Sequence, residues 1–282
     1  MANFDINNFV IDRVVRGVAL SQKDDSVLFS INQMQNVSLN CASESADAVD
    51  ALGTPIATFY RAKSAEFSAE NALFDMNLMA TQLGTKKKVA SSTNKIVVPA
   101  METFIVGTEK TYTLKHMPVA KTDERGKVKT DKDGSELYIT EIYELNGDST
   151  FGIKYDLATA ATADKFSYAN KVITLPTGLV AGTEIFVMYE YETEEAVEVV
   201  NSAIQYPVGC KFVMEVLGCD VCDQTNLIYA YVVFPNFKLS PDFDWSIATD
   251  GTHPFSGKAQ QDYCDRENKL FNIIIPGDND AE

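Results

Sequence analysis

Residues 52–84 contain the pattern that most restricts the fold, a turn followed by a strand and then a helix. Residues 53–55, Gly-Thr-Pro, are a turn signal, and residues 56–67 alternate in the manner of a strand. Ser68 stands where a helix N-cap belongs, and Gly84 is a natural helix terminator. The apolar stripe of the predicted helix consists of Leu73, Met76, Ala80 and Leu83. We therefore expect one amphipathic helix that lies against a β-sheet.

Strand signals recur along the rest of the chain, with prolines between them. The predicted strands lie at residues 27–40, 95–100, 104–106, 171–175, 184–191, 211–217, 227–234 and 270–275. Repeated short strands beside one strong helix predict a mainly β fold of two packed antiparallel sheets, sandwich-like or barrel-like, with a flanking α-helix and long loops. A chain of 282 residues that is 45% hydrophobic can bury one large β core or two smaller ones. We assign residues 1–276 to a single β domain and residues 277–282 to a short acidic tail.

Residues 121–135 contain almost no apolar side chains and predict a long exposed loop or hairpin tip. Asp133 and Gly134 form a favoured hairpin turn pair. Loops of this length inside a compact domain are often functional, so the segment is a candidate contact between subunits. A mobile surface loop is the equal alternative. The residues of the candidate contact are Lys121, Asp123, Arg125, Lys129, Asp131 and Asp133.

Acidic residues outnumber basic residues by 40 to 24, which gives a formal net charge of −16. This excess argues against a protein that reads nucleic acid, because affinity for phosphate comes mainly from cationic side chains. It is compatible with a surface that DNA passes without binding. The simpler alternative is that the acidic surface keeps the protein in solution.

The sequence lacks the motifs of the common catalytic sites, and we predict that the protein is not an enzyme. Its two histidines, His116 and His253, lie in no recognisable catalytic frame. Cys219 and Cys222 have the spacing of a zinc or redox pair, but the sequence contains no second pair of this kind. We expect these cysteines to be buried and unligated, with a metal site as the minor alternative, and we expect no cofactor.

Three stretches of the sequence resemble the tail tube proteins of tailed bacteriophages. The first is the strand and helix of residues 53–84, which starts Gly-Thr-Pro-Ile-Ala-Thr-Phe-Tyr and ends Gln-Leu-Gly. The second, residues 173–191, is similar to a Leu-Pro turn that leads into a strand ending in Tyr-x-Tyr. The third, residues 231–239, is similar to a late strand that leaves the sheet through a proline.

The resemblance implies a virion structural protein that forms rings, hexameric in that family, which stack into a hollow tail tube for the ejection of phage DNA. Its partners would be copies of itself and other tail proteins such as sheath, baseplate or terminator proteins. Viral DNA would pass through without specific binding. Assembly in the host cytoplasm and a place in the virion tail follow from the resemblance. We expect no membrane association, since no apolar run approaches about 20 residues.

Acidic residues near the ends of predicted strands are candidates for the wall of such a channel. The candidate lumen-facing residues are Glu141, Glu144, Glu190 and Glu192. On a strand with one apolar face and one charged face, the carboxylates would point away from the core. In the alternative interpretation they solvate the outside of the protein.

Two other functions fit the composition. A capsid decoration or baseplate β-domain would bind a preformed lattice instead of polymerising. A carbohydrate-binding adhesin module, the weaker alternative, would use Trp245 as an aromatic platform, although core packing is the commoner role for a tryptophan.

Overall fold

The computed structural model describes residues 6, 8–123, 125, 127–130, 136–262 and 268–277, except the side chain of Thr140. Within these residues the chain is mainly β with one α-helix, which confirms the predicted fold class. The chain divides into two compact units. Unit 1 comprises Met1–Lys87 and Val199–Glu282, and unit 2 comprises Lys88–Glu198. The assignment of residues 1–276 to one domain stays a prediction, and residues 278–282 of the predicted tail lie outside the described residues.

The elements follow one another along the chain with few long connections. In chain order they are β1 (Phe9–Ser21), β2 (Val27–Ile31), β3 (Met34–Val49), β4 (Pro55–Asn71), α1 (Met76–Gln82), β5 (Lys88–Val89), β6 (Ile96–Ile105), β7 (Thr111–Thr113), β8 (Ile139–Leu145), β9 (Phe151–Lys154), β10 (Asp156–Leu157), β11 (Lys165–Ala169), β12 (Val172–Thr174), β13 (Glu184–Thr193), β14 (Val197–Glu198), β15 (Gly209–Asp220), β16 (Asp223–Leu239), β17 (His253–Ala259) and β18 (Asn272–Ile274). Over the residues that the structure describes, no helix has the length and apolar character to cross a membrane.

Unit 1 is built on one eight-stranded sheet with the order β2-β1-β15-β16-β17-β4-β3, in which β18 also pairs with β16. Strands β2 and β3 stand at opposite ends of this order, yet only Asn32 and Gln33 separate them in sequence. Two intervening residues span at most about 10 Å. The sheet therefore curls until its two edges approach each other at this corner, while its ladder stays open between β2 and β3.

The curled sheet of unit 1 encloses an aromatic core. Six fully or almost fully buried phenylalanines fill it, with ring centroids of neighbouring pairs 5.4 to 6.5 Å apart. They are Phe29, Phe67, Phe212, Phe234, Phe237 and Phe255. Leu78 from α1 joins the same cluster. The helix therefore packs against the core as the sequence predicts.

The helix begins later than the sequence predicts. Residues 67–71 stay in β4, because Phe67, Ala69 and Asn71 alternate into the core while the chain between them pairs with β17. Asp75, not Ser68, is the N-cap. Its Oδ1 accepts hydrogen bonds from the backbone N–H groups of Asn77 and Leu78, at 2.9 and 2.7 Å.

The end of the helix agrees with the sequence. Gly84 follows the C-cap residue Leu83 with a φ of +67°, and the N–H of Thr85 reaches back to the carbonyl of Ala80 at 2.8 Å. A Cβ at position 84 would lie 2.2 Å from the backbone of Tyr206. Both the backbone conformation and the close approach therefore require glycine here.

Unit 2 is a β-sandwich. One four-stranded sheet has the order β6-β13-β8-β9, the other has the order β10-β11-β12-β7, and β5 pairs separately with β14. Inward-facing residues of both sheets form one buried cluster. Ile142, Ile185 and Val187 come from the first sheet, and Phe166 and Ile173 come from the second. The predicted sandwich is confirmed in this unit.

A buried carboxylate ties three segments of unit 2 together. Glu102 accepts hydrogen bonds from the hydroxyls of Tyr189 and Tyr112 and from the backbone N–H of Lys115. Burial opposes the charge of Glu102, but these hydrogen bonds outweigh burial and hold its pKa below the ordinary value. Burial and the same carboxylate raise the pKa of Tyr112 to about 12. Near pH 7 the carboxyl group of Glu102 is therefore ionised, and the tyrosine hydroxyls keep their protons.

A buried histidine anchors the helix of unit 1. The side chain of Gln82 donates from Nε2 to the carbonyl of Pro254, so its Oε1 is the acceptor that faces Nε2 of His253, 2.8 Å away. His253 Nδ1 faces the backbone N–H of Asp75 at 3.4 Å. This pattern fits a neutral ring with its proton on Nε2, and burial lowers the pKa of His253.

We expect unit 1 to lose stability in mild acid. A group whose pKa is lowered on folding contributes stability that is fully present above its unfolded pKa, about 6.5, and is lost as the pH falls below that value. Between pH 7 and pH 5 the free energy of unfolding should drop further in the parent than in His253→Gln, because burial lowers the pKa of His253. Denaturant titrations at each pH measure this drop. The matched variant His116→Gln, which changes an exposed histidine of unit 2, should show the same pH-dependent drop as the parent. If the free energy of unfolding dropped equally in His253→Gln and in the parent, the assignment would be contradicted.

Candidate assembly interface

The hairpin of β3 and β4 extends beyond the core of unit 1 as a two-stranded arm. We define the arm as residues 43–62. All of its residues are exposed, whereas residues 65, 67, 69 and 71 at the base of the hairpin are buried. The tip is ordered, because Oδ1 of Asp50 accepts hydrogen bonds from the N–H groups of Leu52 and Thr54, both at 2.8 Å. These backbone hydrogen bonds lower the pKa of Asp50.

The arm exposes large apolar side chains that a monomer does not need. Leu52 at the tip is 92% exposed and Ile56 is 71% exposed. Phe59 lies opposite Ala46 on one face of the ribbon, and Tyr60 lies opposite Ser45 on the other. A two-stranded ribbon without a packed face is marginally stable in water, and contiguous exposed apolar groups mark interaction sites. The arm is therefore the leading candidate for a contact with another chain.

A β-bulge separates the arm from the rest of the hairpin. The pairing shifts between Ala42↔Ser64 and Glu44↔Arg61, so two residues of β4 oppose one residue of β3. Ala62, inside this bulge, has a φ of +48°, which is unusual for a residue with a side chain. Bulges bend a strand and increase its twist. The bulge therefore sets the direction in which the arm leaves the sheet.

The edges of the unit 1 sheet are a second candidate contact. Among the described residues, β2 pairs only with β1, and β3 pairs only with β4. An edge with unpaired N–H and C=O groups is a template for a strand of another chain.

Three of the four predicted channel residues share one face of the unit 2 sheet. Glu190 and Glu192 alternate with the buried residues of β13, and Glu141 pairs across to Met188 on the same face. Glu141 also forms an ion pair with Lys154 at 2.5 Å. The structure therefore brings these carboxylates to one surface.

Glu144 lies on the opposite face of that sheet. It pairs across to the buried Ile185 and accepts a hydrogen bond from the hydroxyl of Tyr155 at 3.1 Å. Burial and this carboxylate raise the pKa of Tyr155 to about 12. Strand alternation explains the difference, because Glu141 and Glu144 are an odd number of positions apart.

The face that carries Glu141, Glu190 and Glu192 is not uniformly acidic. Met101 and Ile105 of β6 and Phe151 of β9 are more than half exposed on it, beside partly buried aromatic residues of β8 and β13. The ring of Phe151 packs against those of Tyr143 and Phe186, both at 5.1 Å between centroids. The face therefore mixes apolar and acidic side chains, because Met101 lies in the same row across the sheet as Glu141 and Ile105 pairs with Glu184.

The predicted polar loop is folded on itself. Backbone hydrogen bonds run from Lys129 N to Lys121 O, from Leu137 N to Lys129 O and from Lys121 N to Leu137 O, at 2.7 to 2.9 Å. Asp123 closes a turn, because its Oδ1 accepts hydrogen bonds from the backbone N–H groups of Arg125 and Lys127, both at 2.9 Å. Asp131 and Asp133 lie outside the described residues. The role of this segment as a contact between subunits stays a prediction.

The two cysteines with zinc-type spacing lie at the turn between β15 and β16. Cys219 is half-buried and Cys222 is exposed, so the expectation of buried thiols is wrong for Cys222. Its backbone N–H bonds to Asp220 in a two-residue turn, which places its side chain at the end of the sheet. Over the residues that the structure describes, no cluster of three or more histidine, cysteine or acidic side chains could hold a metal ion.

Trp245 is neither a free platform nor a core residue. It is 37% exposed, and its ring stacks on Phe74 with centroids 4.5 Å apart. Phe74 in turn stacks on His253. Trp245 is therefore an exposed probe that contacts Phe74, next to α1.

One comparison with known proteins identifies a family. Residues 9–271 match the model of the YomU/Tube protein family, a family of phage tube proteins. The match includes both units. No curated protein matches the chain.

Proposed function

Because the chain belongs to the YomU/Tube protein family, it is a phage tube-like structural protein of the virion tail, and we propose that it polymerises into stacked rings. The rings form the hollow tube through which phage DNA is ejected. The protein acts by assembly and not by catalysis.

The exposed arm is the observation that carries this proposal. Its apolar side chains at residues 49, 52, 56, 59 and 60 lie in water in the isolated chain. Burial of each such side chain against a neighbour contributes about 1.5–3 kcal/mol. A ribbon that is ordered at its tip but uncovered on its faces fits a part that becomes buried when subunits meet.

Rings and stacks require two different contacts. Pairing between the edges of neighbouring sheets closes a ring when the rotation between subunits permits it, and the ring is hexameric by resemblance to the tail tube proteins. The arm reaches the next ring. Because this second contact repeats from ring to ring without forming a closed assembly, it extends the stack into a filament. The polar segment with Lys121, Asp123, Arg125 and Lys129 is a further candidate contact.

DNA passes through the tube without specific binding. The net charge of −16 disfavours adsorption of phosphate. At physiological salt the repulsion acts within about 8 Å of the wall. Glu141, Glu190 and Glu192 are the candidates for that wall, and Glu144 leaves the group because it bonds to Tyr155.

The tube assembles in the host cytoplasm, and its further partners are sheath, baseplate or terminator proteins. The exposed apolar side chains of the unit 2 face, Met101, Ile105 and Phe151, are suited to contact a protein and not water.

Negative-stain electron microscopy of the purified chain over a range of concentrations tests the proposal. We expect rings or hollow tubes above a threshold concentration, because the arm and the sheet edges both lose exposed surface on association. A chain that stays monomeric at every concentration, even with isolated baseplates as nuclei, would contradict polymerisation and favour a decoration protein.

A further inference from the structure

A pocket of about 400 Å³ lies in unit 2. Its walls combine apolar, aromatic and polar side chains. Those on which the inference depends are Met117, Glu136, Tyr138, Leu157, Tyr168 and Asn170. The volume is large enough for a sugar ring and too small for a helix or a strand.

Two tyrosines form the aromatic part of the pocket. The rings of Tyr138 and Tyr168 lie 5.8 Å apart between centroids and are inclined by 36°. The hydroxyl of Tyr138 donates to Oε2 of Glu136 at 2.7 Å, which holds the carboxylate beside the rings. The pocket therefore presents an aromatic surface and a positioned hydrogen-bond acceptor side by side.

Tyr168 carries an unused donor. Its hydroxyl is hidden from solvent and has no hydrogen-bond partner among the described residues. Burial raises the pKa of Tyr168, so the group remains a neutral O–H. A buried hydroxyl without a partner costs about 1–3 kcal/mol. Such a cost at the wall of a pocket is relieved by a ligand that supplies an acceptor.

Asn170 adds an amide to the same pocket. It occupies the turn between β11 and β12 with a φ of +56°, a conformation that asparagine tolerates well. Its side chain supplies two donors and one acceptor. Met117 lines the same pocket and is 52% exposed, so its unbranched side chain can shift as a ligand enters.

We propose that this pocket binds a pyranose unit of a carbohydrate. The apolar C–H face of the sugar covers the tyrosine rings, and its hydroxyls donate to Glu136 and accept from Tyr168 and Asn170. A lysine or arginine side chain fits less well. It would satisfy the carboxylate and the aromatic faces, but it has no acceptor for the O–H of Tyr168 or the N–H groups of Asn170.

Saturation-transfer NMR with the full chain tests the proposal and does not depend on the state of assembly. The probes are the methyl glycosides of glucose, galactose, mannose and N-acetylglucosamine, each titrated to about 50 mM. We expect at least one to bind with a millimolar Kd. Tyr168→Phe should weaken that binding five- to tenfold, on the order of one neutral hydrogen bond, while the Tm stays the same or rises.

Two further variants make the result specific. Asn170→Gly keeps the turn conformation and should also weaken binding, whereas Tyr206→Phe, at an exposed tyrosine of unit 1, should leave it unchanged. Absence of binding by all four glycosides overturns the proposal. So does equal binding by Tyr168→Phe and the parent, or tighter competing binding of Nα-acetyl-lysine methylamide.

Discussion

Replacing Leu52, Ile56 and Phe59 together by threonine is expected to abolish rings and tubes at concentrations where the parent chain polymerises. The three side chains are more than half exposed in the isolated chain and would be buried only on association. Their combined burial contributes about 5 kcal/mol, so the association constant should fall by roughly a thousandfold or more. Analytical ultracentrifugation and electron microscopy at matched concentrations measure the effect.

The fold of the monomer should survive this change. Exposed side chains away from special backbone conformations alter the free energy of unfolding by about 0.5 kcal/mol or less, and threonine suits a strand. Val180→Thr and Ile247→Thr remove side chains of similar exposure outside the arm and should assemble normally. Normal polymerisation of the triple variant would refute the role of the arm.

Phe212→Ala is expected to destabilise unit 1 by about 3–5 kcal/mol. The Phe212 side chain is fully buried, and its ring lies 5.4 Å from those of Phe67 and Phe237. The space around it is filled to the point that a Cβ on Gly17 would approach its ring to 2.9 Å. Truncation would leave a cavity that the surrounding sheet cannot close.

The fluorescence of Trp245 makes this prediction measurable. It is the sole tryptophan and lies in unit 1, so a denaturant titration below the assembly concentration follows that unit alone. Phe151→Ala, which removes a more than half-exposed ring from unit 2, is the matched control and should leave the Trp245 transition unchanged. A loss below about 1 kcal/mol in Phe212→Ala would mean that the core repacks around the gap.

Local patterns predicted most of the elements. Alternation located the strands around residues 184–191 and 227–234, which extend to Glu184–Thr193 and Asp223–Leu239. Gly84 marked the end of the helix because its left-handed backbone conformation is a local property that glycine adopts readily. The start was misplaced because Ser68 and Asp75 are both good caps, and the choice depends on Phe67 and Ala69 packing into a core that the sequence does not display.

Surfaces were harder to predict than elements. Glu141 reaches the face of Glu190 and Glu192 through the register between two strands, β8 and β13, which no local pattern fixes. Strand alternation alone puts Glu144 on the face opposite Glu141. The sequence did not predict the arm, because its strands mix small, polar and apolar residues. No alternating pattern distinguishes a buried face from an exposed face there. Phe59 and Tyr60 are exposed because β3 and β4 extend beyond the other strands of the sheet, which only the structure shows.

The short pairing of β5 with β14 has a consequence for how such a chain can be altered. Val89 pairs with Val197 and Lys88 pairs with Glu198, so the two ends of unit 2 lie about 5 Å apart. When the two ends of a segment are adjacent, the segment can be replaced without moving the flanking chain. Either a turn of a few residues or a different domain can take its place. Residues 88–198 are therefore an exchangeable module and a natural place to graft a foreign domain onto this protein.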